Sequence, residues 1–531
     1  MNFQIYDTTL RDGAQQEGMN LSIADKLAIA ALLDELGVGF IEGGWPGAVP
    51  KDTDFFALAR RELNFRNAQL AAFGATRKAG VRADADPQVR ALLDSEAPVV
   101  TLVAKSDIRH VERALKTTPD ENLAMIRDTV DFLRSEGRRV MIDAEHFFDG
   151  YRFDSSYATA AVETAFSAGA EAVILCDTNG GMLPHWVTEI VSELREATGA
   201  GDEERILGMH AHNDTGCAVA NTLAAVTAGV RQVQGTVNGY GERTGNADLI
   251  AVVANLEIKF GYETLGGGLS DATRIAHQIS EVTNIAPYGR QPYVGASAFA
   301  HKAGLHASAI KVDPDLYQHT DPTLVGNDMR MLVSEMAGRA SIELKGRELG
   351  FDLAGRSDVL TAVTNRVKEA ESKGYTYDAA DASFELLLVE ELEGTRPKYF
   401  AVESWRAIVE RVGPRGTQAG AEATVKLVAG GERIVAVGEG NGPVNALDHA
   451  LRDALMKVYP EIDDFELIDF KVRILEHTHG TDAITRVLIE MTDGVDIWST
   501  VGVGPNILEA SWEALTDAAI YGLRRRGIDP R

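Results

Sequence analysis

Short apolar runs rich in Val, Ile and Phe alternate with amphipathic stretches through roughly the first 260 residues. The apolar runs fall near 3–6, 38–42, 69–74, 98–104, 138–144, 171–176, 206–212 and 231–237, and each reads as a strand. Helical periodicity follows near 22–36, 52–63, 84–94, 119–136, 155–168, 184–198, 215–228 and 246–260. Eight successive strand–helix units predict a closed (β/α)8 TIM barrel. The helix starts have local causes. Ser22 offers an N-cap to a helix whose Ile23, Leu27, Ala30 and Leu33 share one face, and Gly37 stops it. Thr118-Pro119-Asp120-Glu121 supplies a cap, a proline at the first helical position and a Glu three residues after the cap. An open, doubly wound sheet is the alternative. It lacks its dinucleotide signature, because after Gly239-Tyr240-Gly241 the next glycine, Gly245, falls one place late for G-x-G-x-x-G.

The pattern changes beyond residue 260. Gly266-Gly267-Gly268 reads as a flexible join, and 270–390 as mostly helical with an irregular centre from Gln291 to Asp328. The last part contains an internal repeat. Val437-Gly438-Glu439-Gly440-Asn441-Gly442-Pro443 leads into a helix at 445–458, and Val501-Gly502-Val503-Gly504-Pro505-Asn506 into one at 508–523. Alternating strands precede each, so two strand–strand–helix units are expected. The predicted architecture is α/β: a barrel over 1–265, a helical linker subdomain over 266–395, and an α+β domain over 396–531. The turn before each repeated helix either exposes backbone N–H groups to the carboxylate of a small ligand or simply starts the helix.

Composition narrows the function. Apolar residues make up 45% of the chain, enough for a large core, and the net charge is −27. That balance disfavours nucleic acid and anionic membranes as partners, since both demand concentrated Lys and Arg. Anionic substrates would require a local reversal of the field by a metal ion or a few arginines. No apolar run is long enough to span a bilayer. The N-terminus lacks the basic start and apolar segment of a signal peptide. With only Cys176 and Cys217, a disulfide framework is not expected, and a cytoplasmic location is.

His210 and His212 lie two apart on the seventh predicted strand, so both rings face the barrel interior at its C-terminal end, where barrel active sites sit. A single inward histidine fits a core; the H-x-H pair before Asn213-Asp214 points to a metal. Asp12 follows strand one and Asn246 follows strand eight, and barrel closure makes those strands neighbours. Two imidazoles, a carboxylate and an amide oxygen would leave positions open for substrate. Such mixed ligands admit Mg²⁺, Mn²⁺, Co²⁺ or Zn²⁺. Arg11 reads either as a surface cation or as the partner of developing oxyanion charge. Glu145 ends strand five and is a candidate base or a loop ion pair. Thr178 ends strand six and can donate to a carboxylate or cap a turn.

Asp7-Thr8-Thr9-Leu10-Arg11-Asp12-Gly13, Asp177-Thr178-Asn179-Gly180, the stretch His210–Gly216 and Gly241-Glu242-Arg243-Thr244-Gly245-Asn246 together resemble the acyl-CoA/2-ketoacid condensing enzymes. This family comprises the isopropylmalate, homocitrate and citramalate synthases, and the C-terminal repeat resembles its amino-acid-sensing domain. The segments 41–47 and 143–150 look most like the citramalate branch. The resemblance implies a Claisen-type condensation of acetyl-CoA with a small 2-ketoacid, pyruvate for that branch. It implies Asp12, His210, His212 and Asn246 as metal ligands. Arg11 would polarise the ketoacid carbonyl, Thr178 would contact its carboxylate, and Glu145 or His306 would deprotonate acetyl-CoA. His306 in Ala303-Gly304-Leu305-His306 would reach over the site with Tyr317 as its partner. Trp45, at the end of strand two, would narrow the ketoacid pocket or pack against strand one. A branched-chain effector, isoleucine or leucine, and a homodimer are implied as well. The chain departs from the isopropylmalate synthases in Gln15-Gln16, Trp45 and Ala307-Ser308-Ala309. The alternatives are an isopropylmalate synthase, a hydroxyacyl-CoA lyase, which lacks the C-terminal repeat, and a non-catalytic amino-acid sensor.

Overall fold

The computed structural model describes residues 3–202, 204–334, 336–412, 418–475 and 483–531. Its N-terminal part is a closed parallel barrel of strands β1 (Gln4–Asp7), β2 (Phe40–Gly44), β3 (Gln69–Ala75), β4 (Val99–Lys105), β5 (Arg139–Glu145), β6 (Ala172–Asp177), β7 (Ile206–Ala211) and β8 (Gln232–Gly235). Closure is direct: β1 pairs with β2 through Tyr6–Phe40 and with β8 through Gln4–Gln232. The open-sheet alternative is therefore excluded. Outward residues such as Ile5, Ile41, Val100, Ile142, Leu175 and Val233 pack under the surrounding helices. Inward ones, among them Tyr6, Phe40, Val99, Met141, Ile174 and Cys176, fill the barrel. Both faces are thus apolar, which is why the strands read as continuous runs rather than alternations. Toward the C-terminal mouth the interior turns polar, with Glu42, Thr101, Asp143, His210 and Gln234 all buried.

The local signals act as physics requires, with one exception. Ser22 and Asp25 form a reciprocal capping box, and Gly37 ends that helix in the left-handed region at φ 96°. Thr118 accepts from the Glu121 backbone N–H at 3.2 Å, but the Glu121 carboxylate turns outward to Arg77 (2.8 Å) and Gly80 N–H (2.9 Å). Half of that box is exchanged for a tertiary tie. A short helix, Phe147–Phe153, intervenes after β5 where the sequence reading had none; it is seated by the fully buried Phe147 and Phe148.

The chain divides into two compact units, one of residues 1–299 with 320–328, the other of 300–319 with 329–531. The first unit thus runs past the glycine join. Its helix Ala272–Thr283 buries Ile275, Ala276 and Ile279, and Gln291 donates to Asp248 at 2.9 Å. The second unit holds helices Arg339–Glu348, Ser357–Ser372 and Asp381–Glu393 and two antiparallel sheets. Each sheet has three strands and one helix, where two strands were expected: Phe400–Val412, Gln418–Ala429 and Glu432–Gly440 with helix Pro443–Leu455, then Glu466–Ile474, Thr485–Thr492 and Ile497–Gly504 with helix Ile507–Arg525. The repeated glycines have one cause. Gly438 lies against the backbone of Ala446 and Ala450, and Gly502 against that of Ala510, so a Cβ at either would collide with its helix.

Candidate active site

The N-terminal motif is a tight knot at the seam of the barrel. The Asp7 carboxylate accepts from Thr9 N–H and Thr9 Oγ1, both at 2.8 Å, and Thr9 Oγ1 accepts from Val237 N–H at 2.9 Å. Burial pushes the Asp7 carboxyl up to about 7. This tie between β1 and the turn after β8 swings Asp12 over the barrel mouth. Asp12 Oδ2 then lies 3.1 Å from His210 Nε2 and 3.8 Å from His212 Nε2. One ligand atom from each of Asp12, His210 and His212 lies within 4.8 Å of the others, and all three residues are buried.

The donor set fits a divalent cation. Asp12 stays ionised: burial alone would raise it, but the Arg11 guanidinium and the two imidazoles hold it well below the usual carboxylate range. Burial and the neighbouring His210 push His212 down to about 4, which leaves it in the neutral form a metal requires. His210 Nδ1 meets Gln234 Oε1 at 2.9 Å, and Gln234 Nε2 donates to Asp143 at 3.2 Å. This relay fixes the ring and turns Nε2 toward the cluster. Asn246 pairs with His212 in an isolated bridge, and its Nδ2 donates to the Tyr240 carbonyl at 3.0 Å. Its Oδ1 is buried with no hydrogen-bond partner. A buried, unpartnered carbonyl oxygen on the residue bridged to His212 is the kind of group a cation would satisfy.

Arg11 is not a surface cation. Its Nε donates to Glu42 Oε2 at 2.6 Å, its guanidinium lies 3.5 Å from Asp12 and sits 3.8 Å over the Phe73 ring. Burial works against its charge, but Glu42, Asp12 and Asp143 outweigh that and hold it protonated. Glu42, which sequence reasoning did not single out, also accepts from Tyr6 Oη (2.8 Å) and Thr8 Oγ1 (2.6 Å) and is fully buried. Trp45 meets Phe73 of β3 edge-on at 5.2 Å, and its indole N–H donates to Gln88 at 2.5 Å.

Across the mouth, Glu145 is in ion contact with Lys105 of β4. Thr178 Oγ1 accepts from His146 N–H at 2.8 Å, so its own O–H remains available to a ligand. The residue after Glu145, His146, adopts φ 59° and stacks on His110 at 3.9 Å. Arg243 folds its loop onto the rim through Asp214 (2.9 Å) and the Thr178 carbonyl (2.9 Å). Arg11, Asp12, Trp45, Glu145, Thr178, His210 and His212 line one cavity of about 390 Å³. His306 and Tyr317 lie in the second unit, where their rings stack at 4.1 Å.

A barrel with this cluster at its mouth falls in a known class. Residues 2–279 match the HMGL-like family, 293–374 the homocitrate synthase post-HMGL domain-like family, and 378–523 the LeuA allosteric (dimerisation) domain. Among curated proteins, the chain is 64% identical to the (R)-citramalate synthase of Streptomyces coelicolor over 100% of this chain and 98% of that one. It is 48% identical to the (R)-citramalate synthase of Synechocystis sp. over 98% and 96%, and 31% identical to the 2-isopropylmalate synthase of Dictyoglomus turgidum over 96% and 95%. The chain belongs to the HMGL-like family and, within it, to the (R)-citramalate synthases.

Proposed function

We infer that this enzyme condenses acetyl-CoA with pyruvate in a Claisen-type reaction and hydrolyses the thioester, releasing (R)-citramalate and CoA for isoleucine synthesis. The observation that carries this is the buried Asp12–His210–His212 cluster, opening with Arg11 and Glu145 into one cavity. Asp12, His210, His212 and Asn246 would hold a divalent metal, and that metal supplies Lewis-acid polarisation of the ketoacid carbonyl. Arg11, locked on Glu42, meets the oxygen as it gains charge. Thr178 donates its free O–H to the ketoacid carboxylate. Glu145 takes the methyl proton of acetyl-CoA, and His306 and Tyr317 of the linker are further catalytic residues on this reading. Trp45, braced on Phe73, limits the ketoacid side chain. Three functional segments follow: a catalytic barrel at 1–265, a linker at 266–395 and a regulatory domain at 396–531.

The regulatory segment carries its own features. A cavity of about 550 Å³ runs between Gly442-Pro443 and Ile507-Leu508, with Asp448 and Arg452 in its wall. The buried Asp448 Oδ1 and Arg452 Nε lack partners. This supports binding of isoleucine or leucine as a feedback inhibitor. The exposed Val409, Ile474 and Ile408 on the first strands of the two sheets support a homodimer. No helix among the described residues is long and apolar enough to cross a membrane, and the proposed location is cytoplasmic. Free-thiol release from acetyl-CoA, compared across pyruvate, 2-ketobutyrate and 2-ketoisovalerate, tests the reading. Pyruvate is expected to give the highest kcat/KM. Preference for 2-ketoisovalerate would replace it by the isopropylmalate reaction, since a methylene is worth roughly 1–3 kcal/mol.

A further inference from the structure

Two oxygens gain negative charge in a Claisen condensation: the thioester oxygen when the methyl group loses its proton, and the ketoacid oxygen when the carbon–carbon bond forms. Arg11 is fixed at the second place by Glu42 and Phe73 beside Asp12. Among the described residues lining the cavity, the other permanent cation is Lys105. It ends β4 directly opposite Glu145, which ends β5, in the parallel register. Inward alternation along the two strands (Val99, Thr101, Val103, Lys105 and Met141, Asp143, Glu145) aims both side chains at the mouth. Their backbones are pinned. The Lys105 carbonyl accepts from Asn122 Nδ2 at 2.9 Å, and the Glu145 carbonyl from Ser106 Oγ at 2.8 Å. The two side chains touch as an ion pair and stay 22% and 25% exposed, reachable from the cavity.

We propose that Lys105 is the catalytic cation of the acetyl-CoA half of the reaction, passing from Glu145 to the thioester oxygen as the proton moves. The proposal rests on the condensation reading above. A Glu145 carboxylate oxygen takes a methyl proton; the C–H electron pair forms the C=C bond, and the C=O pair moves onto the thioester oxygen. Glu145 becomes neutral as that oxygen becomes anionic, so the net charge of the trio is unchanged and Lys105 exchanges one anion for the other. The enolate carbon then attacks the ketoacid carbonyl, and the thioester C=O re-forms. When water adds to the thioester, the same oxygen gains charge again, and the same cation meets it. A compact ammonium on a flexible stem suits this transfer, whereas the planar, doubly anchored Arg11 suits a fixed oxyanion.

The test compares the full-length wild type with Lys105→Met in metal-loaded assays of CoA release from acetyl-CoA and pyruvate. Lys105→Met is expected to lower kcat by about 100- to 1000-fold, the usual effect of losing one oxyanion donor, with KM for pyruvate within about twofold. Lys105→Ala is expected to recover in saturable fashion with ethylammonium. Lys105→Gln serves if Lys105→Met does not fold. A Lys105→Met enzyme keeping more than half the wild-type kcat overturns the proposal. So does a loss in Lys105→Ala that ethylammonium does not restore, since that marks a structural role. Wild type without pyruvate-dependent CoA release would remove the condensation reading itself; wild-type turnover beside an unimpaired Lys105→Met would remove only the role of Lys105.

Discussion

The barrel mouth and the C-terminal sheets each leave chemistry unmet, but of opposite kinds. At the mouth the unmet group is polar and buried: the Asn246 carbonyl oxygen has no partner although its residue is 2% exposed. On the C-terminal sheets it is apolar and exposed: Val409 is 62% and Ile474 55% exposed on strands that have hydrogen-bonded neighbours. A buried orphan oxygen costs on the order of 1–3 kcal/mol unless something small and positive fills the space. Exposed apolar side chains cost little each, but in a contiguous patch they favour association with another apolar surface. On the function proposed above, the first pattern suits an ion and the second a protein, so the two regions can be perturbed separately.

The sharpest way to break this contrast is at the ligands. His210→Ala is expected to lower turnover about a thousandfold, equivalent to roughly 4 kcal/mol, and to abolish bound divalent metal by elemental analysis, with far-UV circular dichroism unchanged. Glu42→Leu comes next. It removes the buried anion from beneath Arg11 and two hydroxyl donors, and unpairing such a charge costs about 3–5 kcal/mol. A Tm lowered by several degrees and a kcat well below wild type are expected; an unaltered Tm would show that Asp12 alone holds Arg11. Trp45→Ala opens the wall formed with Phe73 and is expected to shift the kcat/KM ratio of 2-ketoisovalerate to pyruvate upward by about 10- to 100-fold. The smallest effect on catalysis is expected at the other region. Val409→Asp should move the enzyme toward monomer in light scattering, leave basal turnover within about twofold and weaken amino-acid inhibition. A large loss of basal turnover would erase the separation.

The barrel was legible because both faces of its strands are buried. β3, expected at 69–74, forms at Gln69–Ala75, and β7, expected at 206–212, at Ile206–Ala211. The first strands of the C-terminal units were not, because alternation reports a strand only where one face is buried, and Glu466–Ile474 is largely exposed. The H-x-H pair was visible from spacing, and closure between β1 and β8 carried Asp12 and Asn246 to it. Glu42 was not visible. Its partners Tyr6, Thr8 and Arg11 lie on β1 and the turn after it, 31 to 36 residues earlier in the chain, and only the folded barrel shows a carboxylate sealed beneath an arginine. Lys105 was hidden for the same reason, since its tie to Glu145 is a matter of register between β4 and β5. The short helix Phe147–Phe153 lacks the length over which helical periodicity can be read.

The most direct measurement is the initial rate of CoA release from acetyl-CoA and pyruvate by chelator-stripped enzyme as a divalent metal is added back. The expected result is no pyruvate-dependent rate without metal, and recovery that saturates at one ion per chain in the wild type but not in His210→Ala. Full pyruvate-dependent turnover by metal-free enzyme, or none with Mg²⁺, Mn²⁺, Co²⁺ or Zn²⁺, would contradict the assignment of the Asp12–His210–His212 cluster.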